Sequence, residues 1–250
     1  MKTSLGTRPE DGAVETCVDC ARQKKLKARG RCKTCYEVFR ILHADEVRHW
    51  KKVPALLTKE QNDVLLGLML GDGSLCEYRA STRTAYLRVN RSLKDVDYAR
   101  TQLATFKDFV AHDDVRQFSR FLHEKEYFSC SFFTARASVF GEWYERWYAT
   151  GKKQVPLDLT TISDCALAVW WCDDGCVVNG SLKLATHGFD EASIDRLLAI
   201  LNDRFNEGFA KRIQTTGWSI HGNRAVTKAF VSLTEEYVRH MLPRKLRVDG

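Results

Sequence analysis

Nowhere in the 250 residues does an apolar run approach the length of a membrane span, since Val64 to Gly71 is only about two helical turns. That absence points to a soluble, intracellular chain, in a bacterial or phage-infected cytoplasm or in an organelle. Met1 to Thr16 lacks an apolar core and carries Glu10, Asp11 and Glu15, which fits neither a secretory signal nor an acid-poor transit peptide. Without such a signal, nine cysteines, an odd number, argue for a reducing compartment and for metal binding by any that pair. Acidic charge is short as well: the formal net charge is +7, which makes an anionic partner, nucleic acid first, the leading expectation. Residues 1 to 55 hold 13 Lys/Arg against 7 Asp/Glu and so contribute +6 of that +7. The remainder is nearly neutral, and a basic surface there has to come from arrangement.

What is present is a doubled pattern. Leu65-Leu66-Gly67-Leu68-Met69-Leu70-Gly71-Asp72-Gly73 and Leu167-Ala168-Val169-Trp170-Trp171-Cys172-Asp173-Asp174-Gly175 are both apolar helix-length runs that end in an acid and a glycine. A carboxylate at a helix C-terminus is electrostatically misplaced, because the unpaired carbonyls there already carry partial negative charge. A divalent cation between two such ends would compensate it. Alone, either copy reads as a helix and a turn; two copies about a hundred residues apart imply two equivalent centres about an approximate twofold axis. Gly67 and Gly71, four apart, give one helix a bare face for close approach. Val169 and Asp173 stand at the matching places of the second copy, which puts close packing there in question unless Ala168 and Cys172 supply the small face.

Element order repeats too. Thr58 with Gln61 makes a capping box ahead of the first run, and Ser163 can cap the second. Strand-like alternation at Ala85 to Asn90, a helix over 94–110, strands near 115–122 and 127–133 and a helix around 138–148 complete an αββαββα half. The second half follows with a strand over 181–186, a helix over 190–205, strands near 209–214 and 218–221, and a helix over 224–241. The expected divisions are a loose 1–16, a cysteine unit 17–42, a connector 43–57, and halves 58–156 and 157–250.

Cys17-x-x-Cys20 and Cys32-x-x-Cys35 are two knuckles separated by eleven residues, a specific signal for a tetrahedral Zn²⁺ site. Lys24, Lys25, Lys27 and Arg29 make the loop between them basic, and Tyr36, Phe39 and Leu42 mark a short amphipathic helix after it. The zinc would fold the unit while the loop adds phosphate contacts. Cys76, Cys130, Cys165, Cys172 and Cys176 have no knuckle partner and read as small buried groups. In the halves, one face of each strand is apolar and the other is free to lie along a major groove. Arg79, Arg83, Arg88, Asn90, Arg116 and Arg120, with Lys183, Lys211, Gln214 and Ser219, are the candidates, subject to a one-residue register slip.

On the nine-position motif and the repeated element string, residues 58 to 246 resemble a single-chain LAGLIDADG homing endonuclease, and residues 30 to 36 resemble small zinc modules of phage endonucleases. The resemblance implies an α+β fold of two pseudo-symmetric αββαββα halves with saddle-shaped antiparallel sheets, here with a zinc module added. It places the metal-binding acids on Asp72 and Asp174 and makes the carbonyls of Gly71 and Asp173 further ligands, the Asp173 side chain facing solvent or capping a helix. Lys153 and Lys245, closing the two halves, become the residues that position water and offset phosphorane charge. The implied cofactor is Mg²⁺ (or Mn²⁺, with Ca²⁺ as a non-cleaving substitute), and the implied partner is double-stranded DNA bound by a monomer. Cleavage would fall at a long asymmetric site and leave short 3′ overhangs. The alternatives are an intron maturase that binds RNA and a non-catalytic DNA-binding regulator on the same scaffold.

Overall fold

In a computed structural model of the chain, residues 14–28, 30–42, 53–110, 112–215 and 217–246 are described. They fall into two units, one within the first 52 residues and one from Val53 onward. In the larger unit the capping box forms as the sequence predicts: Thr58 Oγ1 accepts the Gln61 N–H at 3.1 Å and Gln61 Oε1 accepts the Thr58 N–H at 3.0 Å. It starts α2 (Lys59–Leu70), the first motif helix. Ser163 caps α5 (Asp164–Asp174), the second, by accepting from the Ala166 N–H at 3.2 Å.

These two helices lie against each other. A Cβ on Gly67 would come within 2.5 Å of Val169 Cβ and 2.6 Å of the Ala166 carbonyl oxygen, and one on Gly71 within 2.5 Å of Asp173 Cβ. Gly67 and Val169 hold the same motif position, as do Gly71 and Asp173, so each bare spot on α2 receives the larger residue of α5. Close packing therefore survives the departure of the second copy, and it uses complementary pairs. Ala168 and Cys172 are instead buried core residues. Gly67→Ala should lower the unfolding free energy by about 2 to 3 kcal/mol, because the opposing contacts are a Cβ and a backbone oxygen that cannot rotate away. An unchanged urea midpoint would contradict so close an approach.

Each motif helix leads into a four-stranded antiparallel sheet. The first has the order β4 (Ser74–Arg79), β5 (Thr84–Ser92), β7 (Lys125–Phe133), β6 (Arg116–Leu122). The second has the order β8 (Gly175–Val178), β9 (Ser181–Ala185), β11 (Gly217–Gly222), β10 (Phe209–Gln214). Helices α3 (Val96–Thr105) and α4 (Ser138–Trp147) cover the inner face of the first sheet, and α6 (Glu191–Phe205) and α7 (Arg224–Met241) that of the second. The αββαββα order thus occurs twice. Helix α3 is shorter than the sequence suggests, with single 3₁₀ turns at Leu93–Asp95 and Lys107–Phe109. Trp147, Trp170, Trp171, Phe132 and Phe230 are fully buried in one apolar core that runs through both halves. Among the described residues no helix is long and apolar enough to cross a membrane.

The smaller unit is a three-stranded antiparallel sheet, β1 (Val14–Thr16), β2 (Gln23–Ala28) and β3 (Arg31–Cys32), followed by α1 (Lys33–Leu42). Val14–Thr16 lies inside the stretch expected to be loose, and pairs with Gln23–Lys25. The segment between the knuckles, read as a basic loop, is largely strand β2, in which Lys24, Lys25 and Lys27 are exposed. Leu26, between Lys25 and Lys27, is half-buried. Arg29, most of 1–16 and most of the 43–57 connector lie outside the described residues.

Candidate active site

Helices α2 and α5 end side by side, so two sets of unpaired carbonyls and the acids Asp72, Asp173 and Asp174 gather at one place. Three cations answer them. Lys153 Nζ donates to the carbonyls of Gly71 and Gly73, each at 2.9 Å, and Lys245 Nζ donates to that of Gly175 at 2.6 Å. The two lysines closing the halves thus take corresponding places, each on the carbonyls of its own half's tip. The third cation, Arg91, was not found from sequence. Its Nη1 donates to Asp72 Oδ2 at 2.5 Å and its Nη2 to Asp173 Oδ1 at 2.6 Å. The signal was available: Arg91 follows Ala85, Leu87 and Val89 in the buried phase of β5, where an arginine requires a partner.

Asp173 does not face solvent. Its side chain is wholly buried; Oδ2 accepts the Asp72 N–H at 3.0 Å, and the Tyr98 hydroxyl donates to Oδ1 at 2.8 Å. It thus accepts from the backbone just past the C-terminus of the opposite helix. Burial pushes its carboxyl above the usual carboxylate range, with Arg91 pulling the other way. Asp174 has no protein hydrogen bond or ion pair among the described residues. Burial first, then the charges of Asp72 and Asp173, push its carboxyl up to about 7. Burial likewise brings the Lys153 ammonium down to about 8, opposed by the three acids.

Two cavities flank the paired tips. One of about 570 Å³ is lined by Asp72, Arg91, Tyr98, Asp173, Lys245, Arg120 and Tyr127, and one of about 160 Å³ by Gly71, Lys153, Asp174, Thr186, His187 and Phe189. The donor set suits a hard divalent cation. Asp72 is half exposed with one oxygen engaged, Asp174 lacks a counter-charge in contact, and carboxylates with backbone carbonyls are the oxygen ligands that Mg²⁺ takes together with water.

Register decides the nucleic-acid candidates. Thr84, Tyr86, Arg88, Asn90 and Ser92 alternate with buried residues along β5, and pairing through β7 to β6 puts Arg116 and Arg120 on that same open face. Arg116 also lies over the Phe133 ring at 4.9 Å. On the second sheet Lys183 and Gln214 share the open face and bond to each other at 3.0 Å. Ser219 holds that phase but is buried, its hydroxyl bonded to His221 Nε2 at 2.9 Å. Lys211 belongs to the other face, ion-paired to Glu191 and Asp195 of α6 at 2.6 Å each. Phe209 points into the core, which turns residue 211 toward the helices and gives the open face to Arg212, missed by a one-residue slip. Arg83 turns back to Glu145 of α4 and does not join the face, while Arg79 is exposed at the end of β4.

In the smaller unit the sulfurs of Cys17, Cys20, Cys32 and Cys35 all lie within 4.8 Å of one another. The Cys32 N–H points at Cys17 Sγ at 3.3 Å, and this amide, with those of Cys20 and Asp19, brings the Cys17 thiol down to about 6. Four sulfurs so grouped are a metal-binding cluster.

Comparison with known proteins agrees with this geometry. The family model described as the LAGLIDADG DNA endonuclease family matches residues 62–221. A cytochrome b mRNA maturase bI2 of Debaryomyces hansenii is 27% identical over 164 residues, which are 60% of this chain and 58% of that protein. An uncharacterized protein of Methanocaldococcus jannaschii is 33% identical over 120 residues, 46% of each. The chain thus spans about half the length of the curated relatives it matches. The homing endonuclease I-WcaI, solved bound to its DNA recognition sequence, superposes with a TM-score of 0.74 at 21% identity, over 82% of this chain and 93% of that one. At that identity the likeness is one of fold.

Proposed function

The chain belongs to the LAGLIDADG DNA endonuclease family, and from that premise we propose that it cuts both strands of a long, asymmetric DNA site, hydrolysing phosphodiesters to leave short 3′ overhangs. The observation that carries this reading is the pair of acid-tipped helices in contact, each leading into a sheet with an open polar face. Asp72 and Asp174, with the Gly71 and Asp173 carbonyls, would hold Mg²⁺ or Mn²⁺. When bound, such a cation neutralises the phosphoryl oxygens and lowers the pKa of a coordinated water.

The remaining work belongs to side chains. Lys153 and Lys245, anchored on backbone carbonyls, hold positive charge where the phosphorane gains negative charge and orient the attacking water. Arg88, Asn90, Arg116 and Arg120 on one sheet, and Lys183, Arg212 and Gln214 on the other, contact the groove and the phosphates. Because the two faces differ, the site lacks dyad symmetry. The four-cysteine unit carries Zn²⁺ and adds phosphate contacts through Lys24, Lys25 and Lys27.

A second reading, RNA binding of the kind named for the maturase relatives, draws on Phe118, Phe121, Tyr127 and Phe128, exposed along the β6–β7 hairpin, since unstacked bases pack on exposed rings. One experiment separates the readings. A randomised duplex library is incubated with protein and Mg²⁺ and its cut members are sequenced. A double-strand break with short 3′ ends is expected; DNA left intact beside tight binding of intron RNA would replace the first reading with the second.

A further inference from the structure

The two centres are alike in plan and unlike in content. Ser74 pairs with Arg88 and Cys176 with Lys183, each two residues past its acid, so Arg91 in β5 corresponds to Thr186, one residue past the end of β9. Thr186 is buried and donates its hydroxyl to the Trp218 carbonyl, without charge. Arg91 is equally buried, with 4% of its side chain exposed, and its guanidinium joins Asp72 to Asp173. Asp173 can stand there because Gly71, its counterpart, leaves room. One oxygen of Asp72 is therefore taken by a fixed cation, whereas both oxygens of Asp174 are without a protein partner among the described residues.

We infer that Arg91, locked in place by Asp173, makes the two centres unequal, so that the Asp174 centre takes up its divalent cation first and the strand it serves is cut first. Arg91 is a positioning residue: it fixes the Asp72 carboxylate and competes for one of its oxygens. A cation arriving at Asp72 must share that carboxylate with a guanidinium held at contact distance. At Asp174 it meets a largely desolvated carboxylate whose neighbouring cation, Lys153, is bonded to the Gly71 and Gly73 carbonyls and leaves both carboxylate oxygens open, so charge neutralisation gains more there. The inference rests on the endonuclease reading for its strand order, but its metal part stands alone.

Mn²⁺ titrated calorimetrically into the full chain, zinc retained, should show two classes of site about tenfold apart in affinity. In R91Q/D173N, which removes both buried charges together and so avoids stranding either one, the two should converge to within about threefold. If thermal melting shows that this pair fails to fold, Arg91→Lys keeps the charge but lacks the planar fork that bridges both acids, and should narrow the gap in the same direction. A single class in the wild type, or a gap unchanged in the folded variant, overturns the inference. In parallel, end-labelled duplex at limiting Mg²⁺ should accumulate a nick in one strand with the wild type and lose that bias in the variant. Two unequal Mn²⁺ classes with no cleavage would sink the endonuclease reading and support this one; unbiased cleavage with a single class would do the reverse.

Discussion

Asp72→Asn and Asp174→Asn should each lower double-strand cleavage by on the order of 10³-fold, while DNA affinity measured in EDTA stays within a few-fold of wild type. Asparagine keeps the shape and one acceptor oxygen and removes the charge that a divalent cation needs. Neither change should unfold the protein, for different reasons. In Asp72→Asn, Arg91 keeps its buried partner Asp173 and loses only its half-exposed one. In Asp174→Asn, the group removed has no protein partner, and its carboxyl is pushed up to about 7 by burial and by Asp72 and Asp173. An acid whose folded pKa lies above its unfolded value favours the native state only while protonated. Its penalty begins above the unfolded value near 4 and grows until pH passes about 7. Asp174→Asn should therefore be more stable than wild type in urea at pH 7.5, with the advantage shrinking toward pH 4. Activity and stability move in opposite directions, as expected where a fold keeps uncompensated charge for its chemistry. Full cleavage by either variant would remove that acid from the site, and an Asp174→Asn protein no more stable at pH 7.5 than wild type would mean that the carboxylate is already neutralised.

Local signals made most of this architecture legible. The Thr58 and Ser163 caps, the apolar runs and the Asp-Gly ends each act within a few residues, and their repetition alone implies two halves. Strands β4 and β8 are counted in the element order without a range, and both follow the motif turns directly. Lys211 faces the helices for a reason of strand phase, whereas Arg83 stands in the turn ahead of β5 and reaches Glu145. A strand's phase is set by which residue enters the core, and for β10 that is Phe209, which packs on Phe205 of α6, a contact no window around residue 211 reveals. The tips of α2 and α5 needed three dimensions as well. That Gly71 faces Asp173, and that Asp173 thereby reaches Arg91 and Tyr98, depends on helices a hundred residues apart in sequence. Charge balance told correctly that acids at helix ends need cations; it could not tell that the protein supplies three of its own.

Removing the metal from the four-cysteine cluster should unfold residues 14–42 and leave the larger unit intact. The sheet β1–β3 and helix α1 together are far below the size at which an apolar core suffices, and Val14, Val18 and Val38 are exposed. The cluster adds a common tie to this small sheet and helix: Cys17 follows β1, Cys32 ends β3 and Cys35 lies in the first turn of α1, so one ion is held by three elements at once. Zinc bound by such a unit is worth about 10 to 16 kcal/mol at pH 7, and with no preformed site in the unfolded chain that energy is its folding energy. Chelation, or Cys32→Ser, should therefore erase the dispersed amide signals of this unit in an NMR spectrum while those of Val53–Leu246 persist. One zinc per chain by elemental analysis is expected beforehand. DNA affinity should fall, and the slope of log K against log salt should flatten by about 2 to 3 as the contacts of Lys24, Lys25 and Lys27 are lost, each phosphate contact counting about 0.9. Dispersed signals that survive chelation would show that the cluster is not structural, and an unchanged slope would take the unit out of DNA recognition while leaving the two-acid site untouched.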